Sequence, residues 1–294
     1  MSLEPLPLVV LLGMMQIILG GYFFLSLIEN KLDAPRSSRG YILTLTITYF
    51  PFTVLSFLLF FSSYENFQKI IMFALNEPLI LNFTSVSILE ALFAIMAIAS
   101  FLHFLCTWRF NSKKFLSSDK TRLKISNFII FIIIIIFLLL FKNFETSWQG
   151  VLLLLIHSVI VGLFVSGALT AMTWGHWYLV TPSLPKEPLE FLTKSLIMII
   201  ILSCFFFVIG LALNYKVVDI GINTLGINLV VNPALWLRFM IGIFLPLILT
   251  YFAYKASKMN GMMSATGLLY LVLGAALAGS FLSNALIFEI GITT

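Results

Sequence analysis

The chain has 294 residues, of which 61% are apolar and only 10% charged, with a mean hydropathy of +1.09. A soluble domain carries about 25% charged residues, so a water-soluble enzyme or binding module is excluded and most of the chain belongs inside a bilayer. The net charge of +5 does not read as a nucleic-acid signal, and Cys106 and Cys204 stand alone in separate apolar runs, which leaves neither a disulfide framework nor a CxxC site.

Eight runs reach or approach the roughly 20 apolar residues that a helix needs to cross the hydrocarbon core. They are, approximately, 6–28, 41–62, 85–108, 126–142, 150–179, 192–213, 233–254 and 263–288. The expected fold is therefore an all-α polytopic membrane protein with eight transmembrane helices. The first run has no basic leading region and is long enough to span, so it reads as a membrane helix rather than a cleavable signal. It carries Gln16 and the pair Gly20–Gly21. Tyr64 opens the semi-apolar segment 63–84, which is expected to lie on the membrane or against a partner, as is 214–232. The third run holds Glu90 near one end and His103 near the other. The fourth, FIIFIIIIIFLLLF, is apolar on all sides and is expected to face lipid.

The fifth run holds His157 and His176, the latter within MTWGHWYLVTPSLP, and places Gly167, Ala171 and Gly175 at every fourth position. That spacing, like Gly274 and Ala278 in the eighth run, predicts close helix packing. Arg238 and Glu289 sit at the ends of runs seven and eight, and Pro246 predicts a kink. The chain also divides into two four-span halves, 1–145 and 146–294, each opening with a glycine-containing span, the pattern of a parallel repeat.

Lysine and arginine set the expected orientation. The linkers after spans 1, 3, 5 and 7 hold thirteen of the seventeen basic residues, and the opposite side holds Lys69, Lys142, Lys216 and Arg238. The positive-inside rule then places those linkers in the cytoplasm and both termini outside the cytoplasmic (inner) membrane.

Ionisable residues within spans are costly and are functional candidates by default. Their order along the chain sorts them into an outer layer with Glu90, His157 and Arg238, and an inner layer with His103 and His176. His176 reads either as an interfacial anchor among Trp174, Trp177 and Tyr178 or, with His103, as an axial ligand of haem b. Glu90 reads either as the acceptor of a proton released by quinol oxidation or as a carboxylate paired with Arg238 or a backbone group. A quinone site needs an apolar slot, hydrogen-bonding groups at its carbonyls and a proton exit, and Gln16, Tyr64, Glu90, His157 and Arg238 are the residue types that supply them.

Several stretches bear a family likeness. GMMQIILGGYFFLSLIENKLD, YENFQKIIMFALN followed by SVSILEALF, and LGAALAGSFLSNALIF resemble the first helix, the second-to-third helix region and the last helix of the NrfD-like membrane anchors of the dimethyl sulfoxide and polysulfide reductase type. The resemblance covers about a third of the chain. It implies a quinol-reactive subunit that binds no haem, reacts with menaquinone or ubiquinone near the outer face, and exchanges electrons with a docked iron–sulfur subunit that serves a catalytic oxidoreductase subunit. It also implies that Glu90 is the quinol-linked carboxylate. Tyr64 stands where such anchors carry a histidine, a departure from the pattern, and WGHWYLVTPSLP has no counterpart. Two cysteines cannot supply an iron–sulfur cluster, so that centre would belong to a partner.

The alternatives to a quinone-reactive subunit are a cytochrome b-like subunit holding haem b through His103 and His176, a small transporter built from the repeat, and a structural subunit of a larger assembly. Apart from subunits of such a complex, the expected surroundings are membrane lipids, with no metal site of the chain's own and no nucleic acid.

Overall fold

The computed structural model describes residues 6–31, 38–75, 83–111, 118–142, 147–182, 184–213 and 233–290. In lipid every backbone polar group must be satisfied within the chain, and these apolar runs meet that demand as helices. They are α1 (Leu6–Lys31), α2 (Ser38–Leu75), α3 (Phe83–Asn111), α4 (Ser118–Lys142), α5 (Trp148–Val180), α6 (Glu187–Leu213), α7 (Pro233–Phe239), α8 (Leu245–Lys258) and α9 (Met262–Ile290). Helices α7 and α8 are joined by a π-helical turn, Met240–Phe244, and form one crossing. Among the described residues eight helices are long and apolar enough to span a membrane, and the protein is an all-α, multi-pass membrane protein. Below, the end at which α1, α3, α5 and α8 finish is termed the lysine-rich end, and the opposite one the far end.

The packing is built around α1 and α5. Helices α1, α2, α3 and α4 contact one another in a closed ring, as do α5, α6, α8 and α9, and the broadest interface joins α1 to α5. The most apolar stretch of α1 is 83% buried and that of α5 is 67% buried, whereas α6 reaches only 28%. Thus α1 and α5 are interior helices and α6 is largely lipid-facing. Their close approach comes from glycine. A Cβ at Gly20 would fall on the carbonyl of Gly162, and one at Gly162 would stand 2.5 Å from the carbonyl oxygen of Gln16. Ser166 Oγ then donates to the Ile17 carbonyl across the same contact at 2.8 Å. Gly21 makes room for the ring of Tyr49 on α2.

Four expectations change on contact with the structure. The isoleucine-rich run of α4 is not simply lipid-facing: Ile129, Ile132, Ile133, Ile136, Phe137 and Phe141 are buried in the core. Gly274 and Ala278 are exposed, and a Cβ at Gly274 would meet nothing within 4 Å; the glycine of α9 that packs is Gly279. The stripe on α5 serves several neighbours rather than one, because Gly167 faces Phe24 and Leu196 while Gly175 faces Thr266. Finally, α2 does not end with its apolar run but continues as helix to Leu75; the side chain of Tyr64 and residues 76–82 and 214–232 lie outside the described residues.

The expected disturbance at Pro246 takes the form of the π-helical turn just before it. Proline has no N–H, so the carbonyl of Gly242, four residues earlier, loses its α-helical donor. The helix adjusts by bonding Leu245 N–H to Met240 O, one residue further back than in an α-helix.

Candidate functional site

The freed carbonyl of Gly242 is where the far-end polar layer begins. Arg238 Nη1 donates to it at 3.1 Å, and Nη2 lies 3.4 Å from Ser203 Oγ on α6. The side chain is wholly enclosed, 1% exposed. Two glycines leave it room: a Cβ at Gly242 would stand 2.5 Å from Nη1 and one at Gly279 would stand 3.1 Å from it. Arg238 Nε has no hydrogen-bond partner among the described residues. Five residues from the start of α7, Arg238 sits about 8 Å below the helix end, so it is a buried cation and not an interfacial anchor.

His157 is linked to Arg238 through α9, where Gly279 borders Arg238 Nη1 and Ser283, one turn further along, borders His157. Its Nε2 is 3.2 Å from Ser283 Oγ on α9, and Phe206 of α6 packs beside the ring. The next residue of α9, Asn284, forms a two-way amide pair with Gln16 of α1: Gln16 Nε2 donates to Asn284 Oδ1 at 2.9 Å and Asn284 Nδ2 donates to Gln16 Oε1 at 2.9 Å. Gln16 Nε2 also lies 3.5 Å from Ser158 Oγ. Gln16, His157 and Arg238 are therefore brought together from three distant parts of the chain. The neutral residues that complete the layer, Ser158, Ser203, Ser283 and Asn284, carry no sequence signal, because a serine or asparagine in an apolar run is too common to single out.

Glu90 is not part of this layer. It stands half-buried on α3, whose broad contacts are with α2 and α4 and not with α5 or α7. The partners of Arg238 are the Gly242 carbonyl and Ser203, so the alternative of a Glu90–Arg238 ion pair is set aside as well.

A second polar layer lies toward the lysine-rich end, among α1, α3 and α4. His103 Nε2 is 3.0 Å from Ser126 Oγ, and Tyr22 meets the imidazole edge-on at 5.4 Å while its hydroxyl bonds Ser100 Oγ at 2.6 Å. Ser26 Oγ donates to Asn127 Oδ1 at 2.9 Å. Arg122 Nε stands 3.7 Å from Glu29 Oε1, both side chains only 3% exposed. In the sequence Arg122 and Glu29 fall outside the apolar runs, in the connections after spans 3 and 1. In the structure each lies inside its helix end, where the pairing offsets part of the desolvation cost. The two layers share a pattern: a Ser–Asn dipeptide whose serine meets a histidine and whose asparagine meets α1. Gln16 and Ser26 are ten residues apart on α1, about 15 Å along its axis.

Where α2 meets α5, Tyr49 OH meets Thr170 Oγ1 at 3.0 Å, and Tyr41 OH donates to the Thr170 carbonyl at 2.9 Å. These bonds join α2 to α5 through hydroxyls that are themselves fully buried.

The residues do not fit a haem held by His103 and His176. His103 is enclosed between Tyr22 and Ser126, whereas His176 is exposed with its Nδ1 3.3 Å from Tyr270 OH of α9. Among the described residues the hydrogen-bond and ring partners of the two imidazoles differ, and α3 has no broad contact with α5. Cys106 and Cys204 are free, on α3 and α6, and among the described residues no group of His, Cys, Asp or Glu is arranged to hold a metal ion.

The amide pair makes a testable point about the layer. Gln16→Leu leaves the Asn284 amide buried without its partner and is expected to lower stability by about 1–2 kcal/mol. Adding Asn284→Leu is expected to recover part of that loss, since removing both partners strands neither. A thermal double-mutant cycle in detergent reads the coupling; strictly additive losses would show that the pair does not act as one unit.

No family model, curated protein or solved structure matches the chain.

Proposed function

We propose that the chain is the quinone-reactive membrane subunit of a respiratory oxidoreductase, and that its far-end layer forms the polar wall of the quinone site. The observation that carries this reading is the convergence of Gln16, His157 and Arg238 on one stretch of α9, Gly279 to Asn284, in one buried layer at the end opposite the lysine-rich linkers. A quinone ring has two carbonyl oxygens and no donors. Arg238 and His157 supply donors of the required kind, and the fixed charge of Arg238 favours the electron-rich reduced ring. In quinol oxidation two electrons leave to an iron–sulfur subunit at the outer face, which serves a catalytic subunit, while the two hydroxyl protons of the ring pass outward one after the other through His157, which releases the first before it takes the second. With Glu90 on a separate flank, His157 is the first proton acceptor in this scheme. The positive-inside orientation places the layer on the outer side of the inner membrane, with both termini outside.

Equilibrium binding of short-chain menaquinone and ubiquinone analogues to the purified chain tests the assignment. His157→Gln and Arg238→Gln are expected to weaken binding at least about tenfold, a loss of ~1.4 kcal/mol, and Glu90→Gln to leave it unchanged. Equal affinity of all three variants would overturn it. Co-purification of an iron–sulfur protein from native membranes tests the partner.

A transporter of protons or small anions is a second reading, favoured by the matching His–Ser contacts at opposite ends of the bundle. It predicts flux in proteoliposomes that His103→Gln and His157→Gln each abolish.

A further inference from the structure

In the stretch RFMIGIFLP, Arg238, Gly242 and Pro246 stand four residues apart within one crossing. In a regular α-helix the N–H of residue 246 would bond to Gly242 O. Proline has no N–H, and a carbonyl freed inside a bilayer needs another donor. Arg238 Nη1 is that donor, at 3.1 Å. It makes the shorter of the guanidinium's two bonds: Nη2 stands 3.4 Å from Ser203 Oγ, and Nε has no hydrogen-bond partner among the described residues. The direction of the guanidinium is therefore set mainly at Gly242 O. Pro246 itself is buried and carries no polar side-chain atom that could reach a ligand. What it brings to the far-end layer is the missing N–H.

An N–H at position 246 would approach Gly242 O along the helix axis, and the guanidinium would have to share the carbonyl or turn away. We propose that Pro246 is a positioning residue for Arg238: it reserves the Gly242 carbonyl for the guanidinium and thereby aims the charge within the far-end layer. The π-helical turn serves the same arrangement, since it holds the preceding donor, Leu245 N–H, on Met240 O and away from Gly242. What the aimed charge binds rests on the quinone reading above; the aim itself does not.

Cell-free translation into nanodiscs supplies two forms of the full chain that separate the missing N–H from the proline ring. Pro246→Ala introduces an N–H. Lactic acid at position 246 gives the same methyl side chain through an ester and brings no N–H. Solid-state NMR of the protein with 15N-guanidinium-labelled arginine reads the setting of Arg238, whose signal is assigned by its loss in Arg238→Lys. The alanine form is expected to shift that signal and to bind a short-chain menaquinone at least about threefold more weakly, the effect of one weakened hydrogen bond. The lactate form is expected to keep the wild-type signal and affinity. An unmoved signal in Pro246→Ala would overturn the proposal, and so would an equal shift in both forms, which would assign the effect to the ring. Absence of menaquinone binding by the wild type would overturn the function proposed above and leave the guanidinium signal to decide the role of Pro246.

Discussion

Gly20→Ala is expected to destabilise the protein by about 2–3 kcal/mol, the range of overpacking in a core that cannot yield. The added methyl group would fall on the Gly162 carbonyl and stand 2.9 Å from Ser166 Cβ. Both belong to the middle of α5, where the backbone is held by its own helix and cannot withdraw. Relief would require α1 and α5 to separate, and that contact is the broadest in the protein. Separation would also pull Ser166 from the Ile17 carbonyl and Gln16 from Ser158. Gly274→Ala is the matched control: nothing lies within 4 Å of the new Cβ, and alanine is the better helix former, so stability should hold or rise slightly. Thermal unfolding in detergent, followed by intrinsic fluorescence, compares the two. If Gly20→Ala melts with the wild type, the close crossing of α1 and α5 is not what organises the bundle.

Arg238→Met is expected to do the opposite to stability while removing the quinone binding proposed above. A guanidinium deep in a span costs roughly 2.5–3.5 kcal/mol by insertion measurements, and no acidic side chain among the described residues pairs with Arg238. Methionine fills similar space without the charge. The substitution gives up the bonds to Gly242 O and Ser203 Oγ, each worth about 1 kcal/mol. A net gain of roughly 1 kcal/mol remains, seen as a higher melting temperature. Quinone affinity is expected to fall at least about tenfold at the same time. A cation retained at a stability cost is the mark of a residue kept for what it binds. Should Arg238→Met lower the melting temperature and leave quinone affinity intact, Arg238 would be a structural strut and the far-end layer would lose its main claim as a site.

The two substitutions separate what kind of information each position holds. Gly20 is one of several glycines in apolar runs, and nothing in the chain marks it above Gly274. The difference lies in which helix face meets a neighbour, and that is set by the crossing with Gly162. His157 and Arg238 are visible in sequence because charged and titratable groups are rare in spans. Their companions are not, because Ser283, Asn284 and Ser158 look like ordinary small or polar residues until α9 and α5 are laid beside α1. Arg122 shows the reverse error. Counted with a basic linker, it is four residues inside α4 and paired with Glu29, since helix ends extend past the apolar run that signals them. Glu90 resembles a family carboxylate in its local sequence, but local sequence does not say which helices its own helix will touch.

By itself the sequence determined the all-helical class, the eight crossings and their approximate bounds, because the thickness of the hydrocarbon core translates directly into a length of apolar chain. It also marked the few titratable side chains within those crossings, because each is expensive there. Only the tertiary structure decided that α1 and α5 lie at the centre, that Gln16, His157 and Arg238 share one layer while Glu90 does not, and that His103 and His176 have different surroundings. Helices in lipid gain little from hydrophobicity alone when they associate, so their neighbours are chosen by small-residue contacts and buried hydrogen bonds between positions far apart in the chain.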